Sequence, residues 1–558
     1  MKRLYGYTAL ATLIAAPAWA LTPQEAWDLL QEYNQRTGIE LSAASAEADG
    51  DALVLTNLGM SHAQSAEDQA EVAIDVVIPE VRFVSTAEDT VVMTATDSYE
   101  GSVSITSPHE DEPLTLPLRL AHPGFEMTIT GTREDAVIHT LAPNLTIDLE
   151  IDLSTETRSG QMPLSFAATD LDVRDHVTLG DMLRSRSEGS IGSVRVAGHA
   201  EDHPVEADAA PEKPETPADR EEAKRAQQER DVQGPGRIDF AIDFGPIRGN
   251  ADVTVQGDLS TMFTSGDMAA AVRAGMNMAS QAEIQSMRIT AEVDDINDGE
   301  PRRTTIAIGA EGMTAGLEMN ESRAAYQLGI DSSDVRFESS DQEVVIAYTT
   351  GAVSTDIQAP MLAGPELQPF KIAQSMQDVM LGEDLWALIS TGRDLPREPI
   401  SFDMDITGDV LMERDLIDSE MQKLQLELSD PDLTDERRTE IMSEMMNMGP
   451  PGELRTVNVN QLALSALGAD ATASGALNFP EGGEISEPVG QINAEFNGVN
   501  QLLDRLVEAG VLEASDVMPM RMGLMMFARS VEGETDRMVT DLEFREDGSI
   551  FANGQQIQ

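Results

Sequence analysis

Residues 287–308, MRITAEVDDINDGEPRRTTIAI, contain two stretches in which apolar and polar side chains alternate. The first alternates from Met287 to Val293, and the second places Ile306 and Ile308 two positions apart. A polar segment separates them. Alternation with a period of two is typical of strands that bury one face, so the segment predicts a β-hairpin.

In four further segments a short run of alternating apolar and polar residues ends at a glycine. They are Met127–Gly131 (MTITG), Val253–Gly257 (VTVQG), Met404–Gly408 (MDITG) and Ala471–Gly475 (ATASG). We expect each to be a strand that ends at its glycine. Their irregular spacing argues against a fixed-period solenoid or propeller. The sequence therefore predicts an α+β, β-dominated fold with long antiparallel curved sheets and packed helices.

The chain also carries helical signals. Thr22-Pro-Gln-Glu25 is a capping box with proline at the first helical position, and it predicts a helix that ends at Gly38. After it, Asp49-Gly50 lies between alternating runs and predicts a hairpin.

Three more helical regions are predicted further along the chain. Phe370–Ile389 places Ile372, Met376, Val379 and Met380 on one helical face. Val499–Ala509 has apolar residues at helical spacing and stops at Gly510, and residues 411–448 predict two polar helices around Ser429-Asp-Pro-Asp.

The N-terminus resembles a secretory signal peptide. Lys2 and Arg3 precede a short apolar run, and Ala18-Trp-Ala20 supplies small residues before a cleavage site after Ala20. We therefore expect residues 1–20 to be removed, leaving a periplasmic protein without a transmembrane anchor. The chain has no cysteine, which excludes disulfides and thiolate chemistry.

Composition suggests a division of the remaining chain. Residues 201–236 are rich in proline and charge, so we expect an acidic linker or exposed loop there. It would separate a β-rich region with a leading helix, 21–200, from a second β-rich region with helical insertions, 237–558.

The formal net charge is −62, from 99 acidic and 37 basic residues. Such a surface repels nucleic acid and anionic lipid head groups, so neither is an expected partner. A solvated acidic surface explains this charge, and a specific cationic partner is the alternative.

Two segments have partial metal-site patterns. His199 and His203 would share a face if their segment were helical, but Pro204 and the acidic context favour chance. Asp294–Gly299 resembles the first half of a calcium loop, although Ile296 stands where an oxygen ligand is needed. We interpret it as a hairpin turn and predict no metal site and no cofactor.

The segment MPMRMGLMM, residues 518–526, concentrates methionines on a predicted helix whose cap is Ser515 or Asp516. Copper(I) coordination would require converging sulfur atoms, whereas flexible thioethers also fill apolar gaps. We favour packing, with an adaptable apolar surface as its variant. The residues expected to face an apolar ligand are Met518, Met522, Met525 and Met526.

The chain lacks the nucleophile elbow, the P-loop, the dinucleotide fingerprint and the zincin motif. No catalytic residue is therefore predicted, and we expect a protein that is not an enzyme. The alternative is a periplasmic hydrolase that acts on an envelope polymer through paired carboxylates. Aromatic residues, at 4%, are few for carbohydrate stacking.

The C-terminal segment DLEFREDGSIFANGQ, residues 541–555, follows two apolar helices and resembles the end of the domain of unknown function 2125 family. The segments Leu118–Gly124 and Met127–Gly131, and the helix with Glu25-Ala-Trp27, resemble further parts of the family pattern. This resemblance implies an envelope protein of alphaproteobacterial type. The recurrence of short strands that end at glycine is also similar to the pattern of AsmA-like envelope proteins, whose long curved sheets carry lipid.

Together these observations predict a non-enzymatic periplasmic envelope protein. We expect it to bind an apolar or lipid-like ligand in a groove of its sheet, with a lipid or another envelope protein as its partner.

Overall fold

The computed structural model describes residues 21–64, 71–86, 90–106, 114–154, 158–204, 236–257, 268–297, 300–341, 344–390, 395–417, 419–428, 433–481 and 487–558. The predicted signal peptide, residues 1–20, lies outside these ranges. So do residues 205–235, most of the predicted linker.

One helix and strands β1–β13 come first along the chain. They are α1 (Pro23–Arg36), β1 (Glu40–Asp49), β2 (Ala52–Gln64), β3 (Glu71–Ser85), β4 (Thr90–Ala95), β5 (Ser98–Thr106), β6 (Leu114–Ala121), β7 (Glu126–Gly131), β8 (Asp135–Asp152), β9 (Arg158–Thr178), β10 (Met182–Ile191), β11 (Ser193–Pro204), β12 (Gly236–Phe244) and β13 (Ile247–Gln256).

The middle of the chain continues the sheet. Its elements are α2 (Met268–Arg273), β14 (Asn277–Asn297), β15 (Glu300–Met319), β16 (Ala324–Ile330), β17 (Ser332–Ser339), β18 (Ile346–Thr350), β19 (Val353–Ala359), β20 (Leu367–Leu381), α3 (Glu383–Ser390) and β21 (Ile400–Met412).

The C-terminal part of the chain completes the sheet. Its elements are α4 (Ser419–Leu428), α5 (Asp435–Met448), β22 (Gly452–Ala466), β23 (Ala469–Asn478), β24 (Val489–Asn497), α6 (Val499–Glu508), α7 (Ala514–Phe527), β25 (Arg529–Ser530), β26 (Arg537–Phe544), β27 (Ile550–Ala552) and β28 (Gln555–Gln556).

All the described strands belong to one antiparallel sheet, which confirms the β-dominated α+β prediction. Long strands alternate along it with pairs of shorter strands that lie end to end. For example, β9 pairs with β10 over one half of its length and with β11 over the other half. The sheet is continuous across the predicted linker, because β11 pairs with β12. Glu201–Pro204 and Gly236 are therefore strand residues, not linker.

Four of the long strands bend at a residue with a positive φ angle. Asn57 in β2, Asp170 in β9, Gly312 in β15 and Asp378 in β20 have φ angles of 46°, 53°, 63° and 54°. The breaks in the split strands lie beside these residues. The amide of Gly192, between β10 and β11, donates to the carbonyl of Thr169, next to Asp170.

Each bend reverses the side to which alternate residues point. In β2 the buried leucines are Leu53 and Leu55 before Asn57, but Leu58 after it. All three belong to one hydrophobic cluster. Without the left-handed residue, strict alternation would send Leu58 to the opposite face. The bend thus lets both halves of a strand place apolar side chains on the same side of the sheet, which we call the inner face.

The N-terminal end of the inner face carries the main hydrophobic core. Helix α1 packs there through Ala26, Trp27, Leu29 and Leu30, which are all buried. The Trp27 ring lies 6.2 Å from that of Phe83 on β3. Both sequence signals at this end are confirmed: Thr22 and Glu25 form the capping box, and β1 and β2 pair up to Asp49 and Ala52.

One predicted helix is wrong. Phe370–Leu381 lies in strand β20, and the helix there, α3, covers only Glu383–Ser390. The error arose at Asp378. The alternation of β20 reverses there, so apolar residues of one face, Met376 and Val379, are three positions apart in the sequence. This spacing imitates a helical repeat.

Two of the predicted strand ends are also wrong. Gly131 and Gly257 have positive φ angles at or just after a strand end, as expected. Gly408 and Gly475 instead lie inside β21 and β23. At residue 408 a side chain would collide with the carbonyl oxygen of Thr456 and with the ring of Phe370, on the two neighbouring strands, so the close approach of both requires glycine.

The bends give a test of the fold at Asn57, whose side chain is exposed. Asn57→Gly should keep the stability of the protein, since glycine adopts the left-handed conformation readily. Asn57→Val should lower the free energy of unfolding by about 1–2 kcal/mol, since a branched side chain opposes that conformation. Urea denaturation of the two variants measures the difference. Simple strand propensity predicts the opposite order, so a more stable valine variant would contradict the described bend.

Candidate lipid-binding face of the sheet

The inner face is lined by rows of directly paired residues that contain almost no polar side chain. One row crosses the sheet from β1 to β18: Leu41, Met60, Val76, Gly101, Leu118, Leu149, Leu164, Gly198, Phe240, Ala291, Ile306, Phe337 and Ile346. Every member is aliphatic, aromatic, methionine or glycine.

A second row continues on the other half of the bent strands to the C-terminal end of the sheet. It contains Leu317, Tyr326, Ile357, Ile372, Ile406, Val459, Gly475, Ile492, Leu542 and Ala552. The two rows together extend the apolar surface from the first strand to β27.

Among the described helices, α1 and α6 lie at the two ends of the inner face, and α3 contacts β18 between them. Helix α1 covers the N-terminal end, where the hydroxyl groups of Tyr33 and Ser185 lie 3.4 Å apart. Helix α6 covers the C-terminal end, where Asn500 contacts the sulfur of Met538 at 3.8 Å. Between them the side chains stay accessible: Tyr326, Ile357 and Ile372 are 43%, 40% and 39% exposed. Apolar surface of this extent marks an interaction site in a folded protein.

The opposite, outer face is polar. Its cross-strand neighbours form ion pairs, such as Arg195 with Asp243 at 2.7 Å and Arg303 with Asp294 at 2.7 Å. Hydrogen bonds from Arg303 hold the pKa of Asp294 below its usual range. These pairs are exposed, so each contributes at most about 1 kcal/mol to stability. Their main consequence is a sheet with one charged and one apolar face.

Of the residues singled out as partial metal sites, His199 and Asp294 lie on this outer face. His199 is on strand β11, where its Nδ1 lies 2.6 Å from Asp239, and the side chain of His203 lies outside the described residues. Asp294 and Asp295 form fork-like pairs with Arg303 and Arg302, and the hairpin closes at the pair Asn297 and Glu300. Asp298 and Gly299 lie outside the described residues. In the described part of the chain, no group of three His, Cys, Asp or Glu side chains is arranged to hold a metal ion.

The methionine segment forms helix α7, which begins earlier than predicted: Glu513, not Ser515 or Asp516, is its N-cap. Arg521 ties it to α6 through Asp504 at 2.6 Å, and Asn553 donates to the Phe527 carbonyl at 2.9 Å. The predicted ligand-facing residues are exposed: Met518 65%, Met522 55%, Met525 70% and Met526 62%. They therefore fill no gap in the described core, and of the two interpretations the adaptable apolar surface fits the structure.

Sequence reasoning missed the inner-face rows. Each strand alone shows the ordinary alternation of a half-buried strand. A signal was available in the sequence, which predicts few helices beside many alternating strands.

Comparison with known proteins bears on the C-terminal end of this face. Residues 404–554 match the model of a bacterial family, described as "Uncharacterized protein conserved in bacteria (DUF2125)". The match confirms the resemblance to DUF2125 over this region, which runs from β21 to β27 and includes α6 and α7. The other segments of the resemblance, Leu118–Gly131 and the helix with Trp27, lie outside the match. No curated protein and no solved structure matches the chain, and the likeness to AsmA-like proteins stays a prediction.

Within the described ranges, no helix is long and apolar enough to cross a membrane.

Exchange of the α7 methionines separates surface apolarity from sulfur chemistry. Because Met518, Met522 and Met525 are exposed, replacing all three with leucine or with serine should change the free energy of unfolding by less than about 0.5 kcal/mol per site. The leucine variant should keep the binding of apolar ligands, and the serine variant should lose part of it. Urea denaturation and titration with a fluorescent alkyl probe measure both effects.

Copper(I) titration under anaerobic conditions is the counter-test for these methionines. Tight stoichiometric binding by the wild type that disappears in the leucine variant would show a metal site instead of an apolar surface.

Proposed function

We propose that the protein is a non-enzymatic periplasmic envelope protein that holds lipid hydrocarbon along the inner face of its sheet. The observation that carries the proposal is the pair of uninterrupted apolar rows, from Leu41 to Ile346 and from Leu317 to Ala552. Contact between hydrocarbon and an apolar surface is stabilising by about 25 cal/mol for each Å² of apolar surface removed from water. This contact needs no hydrogen-bonding partner.

The chemistry of the inner face favours hydrocarbon over a protein partner. Protein interfaces contain about one hydrogen bond per 100–200 Å² and are enriched in aromatic residues and arginine. The two rows contain three aromatic residues, Phe240, Phe337 and Tyr326, and no charged residue. The remaining members are aliphatic residues, methionine and glycine, which suit flexible acyl chains.

The polar outer face and the strongly acidic composition support the same proposal. An anionic head group would be repelled by a chain of charge −62, so the head group of a bound lipid should lie in solvent beyond the sheet. The periplasmic location rests on the sequence pattern of residues 1–20. The exposed methionines of α7 extend the apolar surface at the C-terminal end, and we propose that they contact the same ligand.

Site-specific photocrosslinking tests the proposal on two neighbouring residues of β16. Tyr326 belongs to the inner row and Gln327 points to the outer face, and both side chains are exposed. We expect p-benzoylphenylalanine at residue 326 to crosslink to lipid in cells, and the same group at residue 327 to give no lipid adduct. Mass spectrometry of the purified protein identifies the adduct.

Residue 327 is the control. Both variants carry the same probe on the same strand, so a difference between their adducts depends only on the face of the sheet that the probe occupies. Lipid adducts at neither residue, or at both residues equally, would refute a lipid-binding inner face. A protein adduct at residue 326 would assign the inner face to a partner protein.

Two matched substitutions by glutamate on strand β19 give an independent test. Ile357 lies on the inner face, and Ser354, three residues earlier, lies on the outer face. Ile357→Glu should reduce the lipid that co-purifies with the protein, because a buried carboxylate is costly in hydrocarbon. Ser354→Glu should leave the amount unchanged. Equal amounts of lipid in the two variants would contradict the proposal.

A further inference from the structure

The first strand of the sheet forms an open edge. Among the described residues, β1 pairs only with β2, whereas β2 pairs with both β1 and β3. The opposite end of the sheet closes with β25 and β28, which have two residues each. Very short edge strands are one of the devices by which proteins prevent a further strand from pairing. β1 has ten residues, so only this end of the sheet offers a full-length edge among the described strands.

β1 also lacks residues that commonly protect an edge. It contains neither proline nor lysine, and seven of its ten residues are exposed. Helix α1 reaches the backbone of β1 at one described point, where Nε2 of Gln31 donates to the carbonyl of Leu41 at 3.4 Å. In an antiparallel strand every second residue turns its amide and carbonyl groups away from the paired neighbour. On β1 these groups are therefore available to another strand.

The charges of β1 decide which strand can pair with it. Glu40, Glu47 and Asp49 are exposed, and the strand contains no basic residue. Asp49 lies 3.3 Å from Arg82, but Glu40 and Glu47 make no ion pair with any described residue. A lysine or arginine directly opposite such a carboxylate stabilises strand pairing, and a like charge there destabilises it. The edge therefore favours a basic strand.

The same charges disfavour a second copy of this chain. Two β1 strands that paired antiparallel about their centre would place Glu40 opposite Asp49 and Ser42 opposite Glu47. Each chain would also bring a net charge of −62 to the contact. Repulsion of wrong partners is a usual source of specificity in an interface. On β1 it opposes self-association and leaves the main chain open to a cationic partner.

We propose that β1 is the site where an extended, basic segment of a partner protein adds an antiparallel strand to the sheet. Main-chain hydrogen bonds to the open edge supply the affinity, and basic side chains opposite Glu40 and Glu47 supply the selectivity. The inference concerns the backbone edge and these carboxylates, so it does not rest on lipid binding at the inner face.

The probe is a fluorescein-labelled peptide, Lys-Val-Lys-Val-Thr-Gly-Val-Lys-Val-Lys, designed to pair antiparallel with residues 40–49. Two of its lysines then lie opposite Glu40 and Glu47. Its glycine lies opposite Ala44, at the level of Asn57, where the neighbouring strand bends. We expect saturable binding to the purified protein, measured by fluorescence anisotropy. Absence of saturable binding would overturn the inference.

Two N-methylated forms of this peptide separate strand pairing from general attraction between opposite charges. One form is methylated on every second amide and the other on the remaining amides, so each loses the donors along one edge only. The form whose methyl groups face β1 should bind about tenfold more weakly than the unmodified peptide. The other form should bind as the unmodified peptide does. Equal affinities of the two forms would contradict strand addition, because their charges are identical.

Charge reversal on β1 has a matched control elsewhere on the outer face. The double variant Glu40→Lys and Glu47→Lys should weaken binding of the unmodified peptide about tenfold, because it replaces two attractive pairs by repulsive ones. Glu188→Lys together with Glu283→Lys changes the net charge equally on β10 and β14, and it should leave the affinity nearly unchanged. All four glutamates are exposed, so both variants should keep the wild-type melting temperature. Equal weakening by the two double variants would show unspecific attraction and refute the proposal.

Sedimentation of the wild-type protein tests the other occupant of the edge. We expect no dimer that depends on β1. Dimers that the peptide dissociates would assign the edge to a second copy of the chain and overturn the inference. None of these results depends on crosslinking at Tyr326, so a failure here and a failure of the proposed function remain distinguishable.

Discussion

The structure depends on one backbone constraint: both halves of a long strand must turn their apolar side chains to the same side of the sheet. In a bent strand, strict alternation would place them on opposite sides. In β2, β9, β15 and β20 a single left-handed residue, such as Asn57 or Asp170, resets the alternation. Where the neighbouring strand is split, the break lies beside such a residue, as Gly192 does beside Asp170. The two apolar rows then lie on the inner face, and cross-strand ion pairs such as Arg195–Asp243 lie on the outer face.

This constraint also explains where the core ends. A short helix can fill the space between the two halves only locally, as α1 does against Phe83 and α6 does against Met538. Between these helices much of the inner face stays accessible, as at Tyr326 and Ile357. An α+β domain normally covers its sheet with helices. Here the apolar side is left open over many strands, and a hydrocarbon ligand would supply the missing layer.

Local patterns in the sequence predicted much of the fold, and pairing over long distances limited the rest. The capping box at Thr22 and the hairpin at Asp49-Gly50 depend on neighbours within a few residues, and both are confirmed. Because Asp378 has a left-handed backbone conformation, the apolar residues on either side of it in β20 are spaced as in a helix. The sequence alone does not show this φ angle, so the segment was predicted to be helical. The inner rows join residues as distant as Leu164 and Gly198, or Ile492 and Leu542, so no local window contains them. The α7 methionines were singled out from their spacing, but their exposure depends on α6 and the end of the sheet.

The most direct measurement of the central claim is native mass spectrometry of the protein purified gently from periplasmic extract. An inner face that is apolar from β1 to β27 is long enough for several acyl chains side by side. We therefore expect several lipid molecules per protein chain, removable stepwise by collisional activation. A lipid-free protein, with its inner face exposed to water, would contradict the account.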